Sequence, residues 1–501
     1  MADTLFIGID NGTQGTKCAV FSLSKGKLVA SAYAPHDLVE NNAGGREQDP
    51  VWWVAAAEKT LASCLAARGV RATDVVAIGV SGQQHGCVPL DAKGRVIRRA
   101  KLWCDTETVP ECDAVTQAMG GRAKVIKAIG NAVAAGFTAS KVRWLKDHEP
   151  RNYDRLATVL LPHDYLNFWL TGECKTECGD ASGTAYFDVR HRRWSEVMLK
   201  AIDPGGKLLT CVPELVAADD PVGTVRPKIA AMFGFKPGVL VSAGGGDNMM
   251  AAIGTGNVVP GVVTASLGTS GTIYSCSEKP VIDPKGELGA FCSSTGTWLP
   301  LVCTMNVTVA TELTRHLFDQ DVKSFDEQVA KAPAGAEGLL LLPYFNGERT
   351  PALPTSQASF TGITSTNFTK PNLCRAAMEG ATLGLRYGLD VLRRRGVTAS
   401  EIRLVGGGAK SRVWRQIAAD VLGCPVVCPA SSEAGVVGGV LQALWCWLKQ
   451  RDEPVEISDL TDVHVVLDEH TRTFPDAKHA LQYDEIYARY LAFNKALGRF
   501  W

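Results

Sequence analysis

The chain of 501 residues has no charge excess, with Lys+Arg and Asp+Glu at 52 each. A nucleic-acid or membrane-surface protein would carry a basic surplus, so neither partner is expected. No apolar run approaches the ~18 residues of a spanning helix. The candidate around Leu339 to Phe345 is of core length and contains Pro343. Among the 15 cysteines there is no C-x-x-C pair. Cys174/Cys178 and Cys424/Cys428 are the closest pairs and lack a neighbouring His, so buried reduced thiols are expected rather than a zinc site. The run Gly406-Gly407-Gly408-Ala409-Lys410-Ser411 lacks the G-x-G-x-x-G spacing, and no G-x-x-x-x-G-K-[ST] occurs. These gaps argue against a dinucleotide fold and a P-loop. No low-complexity linker is present, so two or three domains packed around a cleft are expected at this length. Met1-Ala2-Asp3-Thr4 enters a strand without a basic or secretory segment, so a cytoplasmic location is expected.

What the chain does have is one turn written twice. Ile7-Gly8-Ile9-Asp10 runs into Asn11-Gly12-Thr13-Gln14-Gly15-Thr16-Lys17, then Ala19-Val20-Phe21. Val262 to Ser266 runs into Leu267-Gly268-Thr269-Ser270-Gly271-Thr272, then Ile273-Tyr274. Each is an apolar strand, a tip of small residues and a second apolar strand, hence a β-hairpin. Exposed N–H groups and Thr hydroxyls at such tips suit an anion. One copy alone is an ordinary turn; two, one in each half, read as a clamp on a polyphosphate. Asp10, ending the first strand, suits Mg²⁺ directly or through its waters.

Strands are expected at Leu5–Ile9, Cys18–Ser22, Lys27–Ser31 and Val75–Val80, with a helix from Pro50 capped by Asp49. The second half repeats this plan after about residue 255. A strand at Trp298–Cys303 leads to a long turn-rich insertion, and a helix capped by Asn372 runs to Arg395. Strand Ile402–Val405 precedes a helix over Ser411–Leu422, the stretch after Asp452 reads as irregular, and a last helix covers Tyr483–Phe500. The fold class is therefore α/β with mixed sheets.

Val239–Ser242 delivers Gly244-Gly245-Gly246-Asp247-Asn248 to the start of an apolar helix. Asp247 either caps that helix or accepts a proton from a substrate hydroxyl. Gln83-Gln84-His85-Gly86 ends a buried strand among neutral amides, a chemistry that reads a polyol. Trp103, Asp105 and Glu107 offer an aromatic platform with carboxylates, or Trp103 is core. The Gly406 run would let adenine or ribose lie against the main chain.

Along essentially its whole length the chain resembles the FGGY carbohydrate kinases of the actin-like ATPase superfamily. Gly136-Phe137-Thr138-Ala139-Ser140-Lys141 and its continuation to His148 is similar to the first family signature. Ala358 to Ile363, continuing at Asn372 to Glu379, is similar to the second. Asp180-Ala181-Ser182-Gly183-Thr184 and Asn346-Gly347-Glu348-Arg349-Thr350-Pro351 are similar to further landmarks. The resemblance implies two actin-like (ribonuclease H-like) domains, 1–254 and 255–501, with helix-flanked mixed sheets and a ligand cleft between. It implies ATP and Mg²⁺, Asp247 as the catalytic base, and Asn248 beside Gln84, His85, Trp103 and Asp105 at the sugar. Asp10 would serve the metal; Thr13, Gln14, Thr16, Lys17, Gly268 and Thr269 the phosphates; Gly407, Gly408 and Ser411 the adenosine. The His85 loop is most similar to that of members acting on D-xylulose, with ribulose, gluconate and glycerol as alternatives. Many relatives have a basic residue where this chain has Glu107. An actin- or chaperone-like switch would not need the Gly-Gly-Gly-Asp-Asn or Gln-Gln-His elements. The partners implied are a small ketose or polyol and ATP; the assembly state stays open, with a homodimer as candidate.

Overall fold

The computed structural model describes residues 3–501, which form two sheet-containing domains. The first sheet comprises β1 (Leu5–Asn11), β2 (Gly15–Ser22), β3 (Lys27–Pro35), β4 (Val75–Gly82), β5 (Pro221–Thr224), β6 (Leu240–Ser242) and β7 (Gly245–Gly246). Its order is β5-β6-β4-β1-β2-β3, with β7 pairing on β4. The second comprises β8 (Gly261–Ser266), β9 (Gly271–Ser275), β10 (Leu301–Thr304), β11 (Ala399–Val405), β12 (Val426–Pro429) and β13 (Leu467–Thr473), in the order β10-β9-β8-β11-β12-β13. In both, an antiparallel meander is followed by a strand parallel to its first member: β1 on β4, and β8 on β11. The repeated hairpin is thus the visible part of a repeated sheet, and both tips leave the sheets beside that parallel pair.

The helices follow from local chemistry. α1 (Pro50–Leu65) starts where Asp49 accepts from the Val51 N–H, and Trp53 and Leu61 are buried beneath it. α2 (Pro162–Thr171) and α3 (Asp247–Gly254) flank the glycine run that follows β6. α4 (Lys370–Arg393) is capped by Thr369, not by Asn372 as the sequence suggested. Asn372 lies two positions inside, where its amide donates to Glu337 and to the Asn367 carbonyl. α5 (Arg412–Leu422) is capped by Ser411 and closed by Gly423 in the left-handed region.

α6 (Ala434–Lys449) belongs to the second half of the sequence but packs on the first sheet. Gly8 and Gly79, paired in register on β1 and β4, leave room for its backbone: a Cβ on either would overlap the carbonyl of Val436 or Gly439. α6 also crosses α3 main chain to main chain, since a Cβ on Gly438 or Gly254 would overlap the carbonyl of Met250 or Ala434. Phe6, Phe21, Met250, Ile253, Val440 and Leu444 surround the crossing as one apolar cluster.

Three expectations need correction. The turn-rich insertion contains helices Thr308–Leu317 and Val322–Lys331. The stretch after Asp452 is ordered as helix Ile457–His464 and edge strand β13; that strand is polar because it covers only one side of β12. α7 (Ala477–Leu497) begins six residues before Tyr483, capped by Asp476. Among the described residues no helix is long and apolar enough to cross a membrane.

Gly438→Ala should lower stability by about 1–3 kcal/mol, because the added methyl separates α6 from α3. Urea unfolding should show a lower midpoint with an unchanged slope. An unaltered midpoint would mean that the crossing tolerates the methyl.

Candidate active site

The glycine run after β6 ends in Asp247, the first residue of α3, held from two sides. Gln442 of α6 grips the Gly244 peptide: its Oε1 accepts the Gly244 N–H at 2.7 Å and its Nε2 donates to the Gly244 carbonyl at 2.9 Å. On the other side the Asn248 N–H donates to Asp247 Oδ1 at 2.8 Å, and Asn248 Nδ2 donates to the same oxygen at 3.0 Å. Gln84 completes the chain, accepting from Asn248 Nδ2 at 2.9 Å. Asp247 is therefore not an N-cap, which is Gly246, and its carboxylate is fixed by neighbours rather than by the helix end.

Protein packs closely round that carboxylate. Burial, then the charges of Asp10 and Asp180, push Asp247 up to about 7. Asp10 is itself raised by burial, although Ser81 Oγ donates to its Oδ1 at 2.6 Å. Gly435, in the first turn of α6, lies against the Asp10 carboxylate, where a Cβ would not fit.

His85 has φ 65°, a left-handed conformation rare outside glycine and typical of constrained sites. Its ring centroid is 4.7 Å from that of Phe137 and 5.8 Å from that of Phe291, which comes from the second half. Burial, with Lys141 and Arg349 nearby, holds its pKa well below the ordinary value, so the ring is neutral. Gly183 makes room for it; a Cβ there would overlap the imidazole.

Trp103 is partly exposed and joins this wall to the first hairpin. Its Nε1 donates to Thr13 Oγ1 at 2.9 Å, and that hydroxyl donates to Gln83 Oε1 at 3.2 Å. Gln83 in turn donates to Gln48, whose Nε2 donates back to the Thr13 carbonyl at 2.7 Å. Asp105, expected at the sugar, lies fully buried behind Trp103. There its Oδ2 accepts the Arg46 N–H at 2.9 Å and Lys101 Nζ at 3.1 Å, while its Oδ1 is buried without a partner. Glu107 is paired with the same Lys101.

At the hairpin tips, Gln14 and Thr269 are exposed, while Thr16 is buried and donates to Asn11 inside its own hairpin. Lys17 crosses to the loop before α6 and pairs with Glu433 at 2.6 Å. The Gly268 and Thr269 carbonyls accept from Thr308 and Val307. Gly407, Gly408 and Ser411 line a cavity of about 1430 Å³ with Asp326, Arg415 and Phe474. An added Cβ at Gly407 meets open space, so that face is clear for a ligand.

Sequence reasoning missed Gln442 and Gln48, and it read Gln83 as part of the polyol loop, whereas its side chain engages Thr13 and Gln48. Gln442 had a signal, being the one uncharged polar side chain in the apolar stretch Ala434–Leu448. The family-signature residues turn out to be architectural. Lys141 donates to the carbonyls of Ala135, Gly136 and Phe137, which fixes the loop carrying Phe137. Arg375 and Glu379 pair at 2.6 Å and both reach Tyr483, docking α7 on α4.

The raised carboxyl of Asp247 has a consequence for stability. Its folded value lies above the ~3.9 of an unfolded Asp, so its contribution is whole below about pH 4 and is lost as pH rises towards 7. The Tm advantage of Asp247→Asn over the parent should therefore grow from about pH 4 to 7 and then level off. Thermal unfolding across this range measures it; a constant difference would show an ordinary carboxylate.

Comparison with known proteins agrees with this geometry. The N-terminal domain model of the FGGY family of carbohydrate kinases matches residues 5–254, and the C-terminal domain model matches residues 263–447. A protein named xylulose kinase from Haemophilus influenzae is 44% identical over 491 residues, covering 97% of this chain and 99% of that one. Another of that name from Streptomyces coelicolor is 37% identical, covering 88% and 87%. The crystal structure of xylulose kinase from Bifidobacterium adolescentis superposes with a TM-score of 0.84 at 30% identity, covering 97% of this chain and all of that one. The chain belongs to the FGGY family of carbohydrate kinases.

Proposed function

We propose that this chain transfers the γ-phosphoryl group of ATP to the primary hydroxyl of D-xylulose, giving D-xylulose 5-phosphate and ADP. The observation that carries the reaction type is Asp247, a fixed carboxylate with proton affinity near neutrality at the head of α3. Relatives named xylulose kinase and the neutral His85 support the acceptor. A neutral ring among amides can exchange hydrogen bonds with hydroxyls without favouring a charged acid such as gluconate.

The domains run over 1–254 and 255–501, with α6 of the second seated on the sheet of the first, and the sugar lies against Gln84, His85, Trp103 and Asn248. Thr13, Gln14, Lys17, Gly268 and Thr269 receive the phosphates, with Thr16 bracing the first tip, and the cavity at Gly407, Gly408 and Ser411 takes the adenosine. Asp247 accepts the hydroxyl proton as the sugar oxygen bonds to the γ-phosphorus and the bond to the β-phosphate oxygen breaks, leaving ADP. A base with this affinity is matched to working pH, and in-line positioning supplies much of the remaining acceleration. Arg349, exposed and beside Cys303 in the second half, is close enough for its charge to be felt at His85. We assign it to the acceptor.

Asp10 fits Mg²⁺: Ser81 uses one carboxylate oxygen and leaves the other for the ion or its waters. Bound there, the ion would neutralise phosphate charge.

Coupled turnover assays should give the highest kcat/KM for xylulose among xylulose, ribulose, glycerol and gluconate. Any of the other three exceeding it would overturn the acceptor and leave the family intact. Asp247→Asn should lose ~10²–10⁴-fold in kcat while sugar still binds by calorimetry. A variant keeping a tenth of turnover would remove Asp247 from the role of base.

The acceptor wall lies mainly in the first half and the adenosine cavity in the second, so closure should accompany turnover. Small-angle scattering should show the smallest radius of gyration with sugar and a non-hydrolysable ATP analogue together. Equal radii in the free, singly bound and ternary states would mean that the halves are rigidly fixed.

A further inference from the structure

Behind the glycine run that carries Asp247 lies a charged cluster to which phosphoryl transfer assigns no part. His163, in the first turn of α2, is fully buried, as are Asp164, Asp180 and Glu177 around it. Its Nδ1 faces Asp180 Oδ2 at 2.8 Å. Its Nε2 lies 3.0 Å from Asp164 Oδ1, off the hydrogen-bonding direction, so this is an ion contact. A neutral imidazole carries one N–H and presents a lone pair at its other nitrogen. A neutral ring would donate from Nδ1 to Asp180 and leave Asp164 without a charged partner among the described residues, whereas the doubly protonated ring puts a positive charge between the two carboxylates.

Glu177 caps the turn Cys178–Ala181, accepting from the Gly179 and Asp180 N–H groups at 2.5 and 2.6 Å, and burial pushes it up to about 7. From β4 comes Gly82, whose Cβ would stand 2.9 Å from His163 Cβ. From the glycine run comes Gly244, whose Cβ would stand 3.1 Å from His163 Cδ2. Asn167, one turn along α2, donates to the Ala243 carbonyl at 2.9 Å. The imidazole is therefore wedged between the strand end leading to Gln84 and His85 and the run ending in Asp247. Asp180 Oδ1 is buried without a partner, and the charge of Asp180 is felt at Asp247. Burial would lower the proton affinity of His163, but Asp164 and Asp180 outweigh it and raise it well above the ordinary value.

We propose that His163 is a positioning residue: an imidazolium held between Asp164 and Asp180, whose buried positive charge keeps the acidic floor beneath Asp247 at its spacing. Without that charge two buried carboxylates confront each other with no cation between them. They must then take up a proton or move apart, and either change reaches Gln84 and the Gly244 peptide through the close contacts at Gly82 and Gly244. The effect on turnover rests on the reading of Asp247 as base; the protonation state of His163 does not.

Histidine side-chain ¹⁵N NMR on the full chain reads that state directly. Both ring nitrogens of His163 should remain protonated at pH 7 in the parent, while Asp180→Asn should lose that signature at the same pH. His163→Lys preserves the charge and His163→Gln preserves a donor without it. The Lys variant should keep kcat within about fivefold, while the Gln variant should fall by roughly 10²-fold, the scale of a displaced catalytic group. A neutral His163 at pH 7, or a Gln variant as active as the Lys variant, would overturn the proposal. If the Gln variant fails to fold, the NMR arm on the parent and on Asp180→Asn decides. If His163 is neutral while Asp247→Asn still abolishes turnover, the counter-charge is refuted and the catalytic reading stands.

Discussion

The main-chain contact between α3 and α6 is the constraint on which the rest of this structure depends. Helices meeting through ordinary side chains stand about 8–10 Å apart, but Gly254 and Gly438 bring these two to the carbonyls of their partners. α3 begins with Asp247, and the first turn of α6 presses Gly435 against Asp10. Both carboxylates are thus indexed to one helix, seated on β1 and β4 through Gly8 and Gly79. Gln442, two turns into α6, reaches the peptide before Asp247 from the same platform. A bulkier residue at any of these glycines would displace several functional groups together, because they share one support.

The cleft is acidic at its floor and is built mainly with neutral amides. Burial raises the proton affinity of Asp10, Asp180 and Asp247, and the charges of Asp10 and Asp180 raise that of Asp247 further. Asn248 with Gln84 holds Asp247, Gln442 holds the Gly244 peptide of the run before it, and Gln48 with Gln83 braces Thr13. An amide both donates and accepts, so it can bridge backbone and carboxylate without adding charge to a site already loaded with it. Basic groups are kept behind the wall or committed elsewhere. Lys101 is buried among Glu47, Asp105 and Glu107, and Lys17 is bound to Glu433 across two partly exposed side chains, a contact of modest strength.

What the sequence made legible was local. The hairpins, the Asp49 cap, the Ser411 helix start and the glycine run before Asp247 are each written in fewer than ten consecutive residues, and the structure has them all. What escaped depends on partners far along the chain. Asn372 looked like a cap because it precedes an apolar stretch, but Thr369 is three residues earlier and Asn372 is drawn to Glu337. Asp105 looked like a ligand because of its neighbour Trp103, yet the Lys101 that occupies it faces inward. The seating of α6 on the first sheet joins residues more than 350 positions apart, and no local pattern encodes it. Glycines do hint at it: Gly8, Gly79, Gly438 and Gly439 sit in otherwise apolar elements, where they cost stability unless backbone comes close.

The duplicated sheet does different work in its two copies, and the difference lies in how each tip is anchored. The first tip is tied by side chains: Thr13 receives Trp103 and engages Gln83, so the tip and the acceptor wall are one hydrogen-bonded unit. The second tip is tied by main chain alone, its Gly268 and Thr269 carbonyls taking N–H groups at the start of helix Thr308–Leu317, which also lines the cavity at Gly407 and Gly408. Any displacement of Trp103 is therefore transmitted to the first tip, while the second follows the wall of that cavity. Each tip is thus coupled to different surroundings, the first to the wall of Trp103 and Gln83 and the second to the cavity of the second half. If both tips serve one ligand, as proposed above, the relative position of the halves, rather than either half alone, is the variable that completes the site.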